Sequence, residues 1–262
     1  ITNPILTETS KAIEKALAKL GYGTLFATSN NTLIEEIAAV EMFRSRQVDG
    51  LLIYPARAHR DYRHLIELRR AQFPIVMMIP GEDIGVDMVS VDERHGAYKA
   101  VSHLIDLGHR CIGTLDGSNP KGNRQKFDGY LDALAQADIA FDPDWQVEPV
   151  GFSPTSGYWA MDTLMSRSQA TAVFAANDYI AMGAVRWCQK RGLRIPEDVA
   201  LIGFDNLEIG EFMSPPLSSV NFETDVVVRM AIERLLELIK TRGALPEPRI
   251  TLVEPELVIR DS

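Results

Sequence analysis

Short apolar runs alternate with longer amphipathic stretches along the whole of this chain, and few folds accept that order. Thr9 to Leu20 carries Ala12, Ile13, Ala16, Leu17 and Leu20 at helical spacing, then meets Gly21, a residue suited to the left-handed conformation that ends helices. Thr24 to Ala27 is expected as the next strand and Leu33 to Arg46 as the next helix. The run Gly50-Leu51-Leu52-Ile53-Tyr54 reads as a strand apolar enough to be covered on both faces, as parallel strands are. Tyr62 to Ala71 is then helical and Pro74 to Ile79 extended. Strand, helix, strand in this rhythm predicts a doubly wound α/β sheet with right-handed crossovers.

The rhythm restarts after Val89-Ser90-Val91-Asp92. Gly96 to Leu107, Lys126 to Ala137, Ser156 to Met165 and Ala181 to Arg191 are expected helices. Cys111 to Leu115, Trp145 to Val150, Ala172 to Ala175 and Val199 to Phe204 are expected strands. Two α/β lobes of similar size follow. A further long helix, Thr224 to Lys240, a break at Arg242-Gly243 and an alternating segment from Leu252 to Ile259 suggest that the chain crosses back between them. The expected division is 1–92 with 223–249 for the N-terminal lobe and 93–222 with 250–262 for the C-terminal lobe. Facing lobes of this kind make a cleft outside the carboxyl ends of their parallel strands, where open α/β sheets bind ligands.

Charge and composition exclude several uses of such a cleft. Lys and Arg number 27 against 36 Asp and Glu, a formal net charge of -9, the wrong sign for a surface that must neutralise phosphates. Two cysteines, Cys111 and Cys188, with no CxxC pair, suggest neither a disulfide framework nor a zinc site and fit a reducing cytosol. No apolar run reaches the length of a membrane helix. The phosphate loop GxxxxGK[ST], the dinucleotide fingerprint GxGxxG, the GxSxG elbow and HExxH are all missing; Gly117 to Gly122 lacks the Lys-Ser/Thr that would hold phosphate and magnesium. His59, Asp61 and His64 stand among Arg57, Arg60, Arg63 and Arg69, which would repel a cation, so they read as a solvated helix end. His109 reads as a capping or buried imidazole. No catalytic residue, metal or cofactor is expected.

Polar residues at strand ends are the better signal. Asn177-Asp178 follows Val173-Phe174-Ala175 and precedes Ala181-Met182-Gly183-Ala184, which makes it a helix cap, a ligand contact or both. Asp205-Asn206 follows Leu201 to Phe204 in the same way, and a carboxylate there can accept two hydrogen bonds from vicinal hydroxyls. Asp92, at the first crossing, is either a hinge cap or a ligand contact. Phe152, in Gly151-Phe152-Ser153-Pro154, either stacks on a sugar face or joins the core.

Several of these residues belong to longer motifs. Asn177-Asp178-x-x-Ala181-x-Gly183, Gly192-Leu193-Arg194-Ile195-Pro196-Glu197-Asp198-Val199, Ile202-Gly203-Phe204-Asp205-Asn206 and Pro215-Pro216-Leu217-Ser218-Ser219-Val220 occur in that order. Upstream stand Thr2-Asn3-Pro4, Val48-Asp49-Gly50-Leu51-Leu52, His103-Leu104-Ile105-x-Leu107-Gly108-His109-Arg110 and Gly129-Tyr130. Together they resemble the effector-binding core of the lactose/galactose repressor (LacI/GalR) family over essentially the whole chain. The resemblance implies a periplasmic-binding-protein-like fold of type I, with three crossovers between its lobes. It also implies a homodimer, a cytoplasmic transcriptional regulator, and operator DNA read by a helix-turn-helix domain upstream. An effector would change operator affinity through its differential affinity for two core states.

Carried over residue by residue, the resemblance implies ligand contacts from Asp205, Asn177, Phe152, Ile5 and Leu6. The family's usual arginine three residues before the Gly-aromatic pair is Lys126 here, with Arg124 two residues earlier, so bidentate recognition falls to Arg124. Ile79 stands where many members carry an acid. The family also has an apolar strand before the Asn-Pro of the first helix, so further residues are expected upstream of Ile1. The alternative reading is a periplasmic sugar-binding protein of an uptake system. Either way a mix of carboxylate, amide, cation and aromatic suits a sugar or a similar polyhydroxylated metabolite.

Overall fold

A computed structural model describes residues 4–56, 61–79, 83–116, 124–241 and 243–262. Thr2, Asn3, Arg57, His59, Arg60, Arg242 and the Gly117 to Gly122 loop, all weighed above, lie outside the described residues. The helices form where the apolar spacing puts them: α1 Pro4–Lys19, α2 Leu33–Ser45, α3 Arg63–Arg70, α4 Glu93–Asp106, α5 Gln125–Gln136, α6 Pro154–Arg167, α7 Asp178–Arg191 and α8 Thr224–Lys240. The starts of α2, α4, α6 and α7 are set by short polar side chains. Thr32 accepts from Glu35 N, Asp92 from His95 N, Ser153 from Ser156 N and Asn177 from Ile180 N, each cap contributing about 1 kcal/mol.

The strands are β1 Leu51–Ile53, β2 Ile75–Met77, β3 Asp87–Val91, β4 Ile112–Leu115, β5 Ala172–Ala175, β6 Ala200–Asp205, β7 Ser218–Asn221, β8 Ile250–Val253 and β9 Leu257–Val258. They build two sheets, β1-β2-β3-β8, all parallel, and β4-β5-β6-β7-β9, parallel except for β9. This is the α/β, mostly parallel, two-lobed architecture that the helix and strand rhythm predicts.

Three local expectations differ from what forms, and one strand forms that was not expected. Thr24 to Ala27 has no ladder partner among the described residues, and Leu25 and Phe26 are exposed. Trp145 to Val150 yields a short 3-10 turn, Pro143–Trp145, and a single bridge from Gln146 to Thr114; Pro149 has no N–H to extend it. Ser218–Asn221 forms a strand that its polar composition hides. Finally, the alternating segment Leu252 to Ile259 is divided between two strands, because Glu254-Pro255-Glu256 interrupts it: β8, which starts earlier at Ile250, joins the first sheet and β9 the second.

The chain divides into two compact units accordingly. The first holds the described residues up to Val91 and Glu223–Val253; the second holds those from Asp92 to Phe222 and Glu254–Ser262. Asp92 therefore counts with the second unit and residues 250–253 with the first. In the first unit, Leu65, Leu68, Ile75, Met77, Met88, Val40 and Phe43 form the core under α2 and α3. Beside it lies a fully buried carboxylate, Asp87. Arg234 Nε of α8 donates to Asp87 Oδ1 at 2.6 Å, Arg249 N donates to the same oxygen at 3.0 Å, and Arg69 Nε of α3 lies 3.6 Å from Oδ2. The two guanidiniums also hold the backbone carbonyls of Pro246 and Glu247.

In the second unit β5 and β6 are buried throughout, and α6 and α7 pack backbone to backbone. A Cβ added at Gly183 would stand 2.0 Å from Pro154 O, and one at Gly157 would stand 2.1 Å from Ile180 O. The absence of side chains at these two positions sets how closely the helices approach. Gly183→Ala should therefore lower the free energy of unfolding by about 3 kcal/mol in urea titrations, the upper end for overpacked cores. Gly23→Ala, where the added Cβ meets nothing within 4 Å, should change it by less than about 0.5 kcal/mol.

Candidate functional site

The carboxyl ends of β5 and β6 converge in the second unit, and one side chain gathers what lies there. Lys126, in the first turn of α5, is buried. Its Nζ donates to Ala176 O at 2.8 Å, lies 3.7 Å from the centre of the Phe204 ring and stands 3.9 Å from Glu93 Oε1. Ala176 precedes Asn177, Phe204 precedes Asp205 and Glu93 follows Asp92. The ammonium thus touches the chain neighbours of three residues singled out from the sequence. Its partners are a carbonyl, a π face and a carboxylate, all within the protein.

Asn177 is buried, and its Oδ1 accepts from Ile180 N at 2.8 Å, so the cap is made. That leaves its NH2 end as the group it can offer a ligand. Asp205, also buried, ends β6 with φ at 106°, and Asn206 follows with φ at 54°. Two successive non-glycine residues in left-handed space are costly, about 1–3 kcal/mol each. Hydrogen bonds hold them. Asn206 N donates to Ser219 Oγ at 3.1 Å, Arg260 Nη2 donates to Asn206 Oδ1 at 2.9 Å, and Leu207 N donates to Asp178 Oδ2 at 2.7 Å.

Asp92 caps α4 and is half-buried. Arg124 precedes α5; its Nη2 reaches Asp128 Oδ1 at 3.2 Å and its guanidinium lies 5.5 Å from the Phe127 ring, at the solvent edge of the same cluster. Phe152 is 47% exposed in the bend before α6, outside the core cluster on that side of the sheet. Ile5 and Leu6 stand at the start of α1 in the first unit, Ile5 buried and Leu6 half-buried. Lys126 therefore packs against the chain neighbours of Asp92, Asn177 and Asp205, with Arg124 two residues before it in the chain.

The histidines fall out as neighbours of structure. His109 Nδ1 lies 2.8 Å from Thr171 Oγ1, and burial lowers its pKa below the ordinary imidazole value. His64 is not solvated, as its arginine-rich surroundings suggest; its Nε2 lies 2.7 Å from buried Glu36 Oε1, which α2 carries against α3. Among the described residues no three His, Cys, Asp or Glu side chains are placed to hold a metal.

Two buried carboxylates of the cluster escape sequence reasoning. Glu93 follows Asp92 in a helix start and looks like an ordinary first-turn acid. Asp178 looks like half of a cap, yet it is fully buried, and burial pushes its carboxyl up to about 6. Hydrogen bonds from Ser219 and Leu207 and the charges of Lys126 and Arg260 oppose that rise. The available signal was Gly203, where an added Cβ would stand 2.2 Å from Asp178 Oδ1.

With this geometry in view, the family model described as a periplasmic binding protein-like domain matches residues 101–262. The HTH-type transcriptional repressor PurR of Haemophilus influenzae (strain PittEE) is 31% identical over 99% of this chain and 77% of its own length. A transcriptional regulator of the LacI family from Sanguibacter keddieii DSM 10542 superposes with a TM-score of 0.85 at 30% identity, over 98% of this chain and 93% of that one. The transcriptional regulator CelR in complex with cellobiose does so with a TM-score of 0.87 at 30% identity, over 99% of this chain and 79% of that one.

Lys126→Met keeps the stem and removes the charge, which leaves Glu93 buried without its cation. Chemical denaturation should show a loss of about 3 kcal/mol. Pairing that change with Glu93→Gln should recover part of it.

Proposed function

The chain belongs to the LacI family of transcriptional regulators, of which it is the effector-binding core, and from that premise we propose that its effector is a sugar or sugar derivative. The family regulates transcription and does no chemistry on its ligand. The observation that carries the proposal is the packing of Lys126 against Ala176, Phe204 and Glu93, the chain neighbours of Asn177, Asp205 and Asp92, at the carboxyl ends of β5 and β6. A carboxylate, an amide NH2 and a guanidinium at the rim match the alternating acceptor and donor demands of adjacent hydroxyls. Asp205 accepts from two hydroxyls, Asn177 donates, and Arg124 supplies the fork, since the Lys126 ammonium is turned to internal partners. Phe152 offers an apolar face to a sugar ring. The effector contacts proposed are those of the second unit alone. CelR, whose complex holds cellobiose, supports the same class.

Effector binding in such a core acts on DNA at a distance. Operator DNA is read by a helix-turn-helix domain of the kind named for PurR, not by these residues, whose net charge is -9. Such domains work in pairs, so the core is a homodimer in the cytoplasm. A groove of about 600 Å³ in the second unit supports the pairing: Pro154, Tyr158, Trp159, Met182 and Met213 line it, and Trp159 and Phe212 are 61% and 75% exposed.

Two measurements check these readings. In a thermal-shift screen of neutral sugars that includes cellobiose, one class should raise the melting temperature, and Asp205→Ala should abolish that rise with the fold intact. No shift from any sugar, or an undiminished shift in the variant, would remove Asp205 from the site. In sedimentation equilibrium the chain should run as a dimer, and Trp159→Glu combined with Phe212→Glu should leave a folded monomer.

A further inference from the structure

Asp178 is the first residue of α7, yet its carboxylate does not serve that helix. Asn177 already caps it through Ile180 N. Instead both Asp178 oxygens reach to the end of the neighbouring strands: Oδ2 accepts from Leu207 N at 2.7 Å and Oδ1 from Ser219 Oγ at 2.6 Å. Ser219 Oγ in turn accepts from Asn206 N at 3.1 Å. The carboxylate fits there only because residue 203 is glycine. This group is fully buried, and each hydrogen bond it accepts leads to the turn that follows Asp205.

That turn needs holding. Asp205 and Asn206 both have positive φ, and the bond from Phe222 N to Asp205 O is long, at 3.5 Å. We propose that Asp178 is a positioning residue for the effector site: through Leu207 and Ser219 it fixes the turn that presents Asp205, and effector affinity depends on its negative charge. This rests on Asp205 being an effector contact. A proton on Oδ2 displaces the Leu207 N–H, and a proton on Oδ1 must donate to Ser219 Oγ and turn the Ser219 hydroxyl away, so protonation reorganises the hydrogen bonds that hold the turn.

The charged groups facing Asp178 are Lys126 from α5 and Arg260 from the segment after β9, both favouring the ionised form; burial outweighs them and raises the carboxyl to about 6. The sign of the consequence is specific. Because the folded-state value is raised, the stability contributed by Asp178 is full below its unfolded value and is lost as pH rises through about 6. Effector affinity should change in the opposite sense, rising over the same interval. A side chain that served stability alone would move both together.

The test uses the chain as it stands and Asp178→Asn, which keeps the shape and removes the charge. In ligand-free protein the NMR amide signals of Asp205, Asn206 and Leu207 should titrate together with a midpoint near 6, and those of Asp178→Asn should be flat. With cellobiose and the other neutral sugars of the screen, binding should weaken about tenfold between pH 7.5 and pH 5 in the parent, and be about tenfold weaker at both pH values in Asp178→Asn. Titration confined to Leu207, or persisting in the variant, would overturn the positioning role. If the three signals titrate together but no sugar binds, or binding ignores Asp205→Ala, the effector assignment fails and with it the link to affinity, while the hold of Asp178 on the turn stands.

Discussion

One ammonium group holds the business end of the second unit together. Lys126 is buried against a carbonyl, an aromatic face and a carboxylate drawn from the ends of β5 and β6 and the start of α4. An ion in that position is stable only if every direction it faces is electron-rich, so the chain segments that meet it are fixed by its needs. The polar rim formed by Asp92, Asn177 and Asp205 is a consequence of that fit. Their backbones are set by what their neighbours do for the lysine, while Asn177 and Asp205 are themselves buried and Asp92 is half-buried.

Much of the fold was legible because burial writes itself into spacing. α8 is Thr224–Lys240 to the residue, β5 is Ala172–Ala175, and β6 differs from its apolar run by one position at each end, since both strands are apolar where they pack. What stayed hidden depended on partners. Ser218–Asn221 is half serine and becomes a strand because β6 and β9 flank it; Thr24 to Ala27 has strand composition and no ladder. Pro255 divides one apparent strand between two sheets, a fact of connectivity that alternation alone does not carry.

The candidate site divides along the same line. Asp205 and Asn177 are visible because polar residues at the ends of apolar strands are conspicuous. Glu93 and Asp178 are not, because a carboxylate at a helix start has an ordinary reading, and only the structure turns these two inward. Lys126 stands between the two: a cation in a motif invites a ligand contact, and the structure shows it buried with three partners inside the protein, while Arg124 pairs with Asp128 and is half-buried.

The buried triad of the first unit has a consequence in the order in which the chain is made. Asp87 lies in a central strand, but Arg234, which neutralises it most closely, comes 147 residues later, and the second unit's strands β4 to β7 are synthesised in between. A nascent chain that has reached Phe222 holds Asp87 with Arg69 but without Arg234, and its first sheet lacks β8. The unit that begins first is therefore finished only after most of the second has been made, and a ribosome pausing before α8 leaves a half-neutralised carboxylate at the heart of an incomplete sheet.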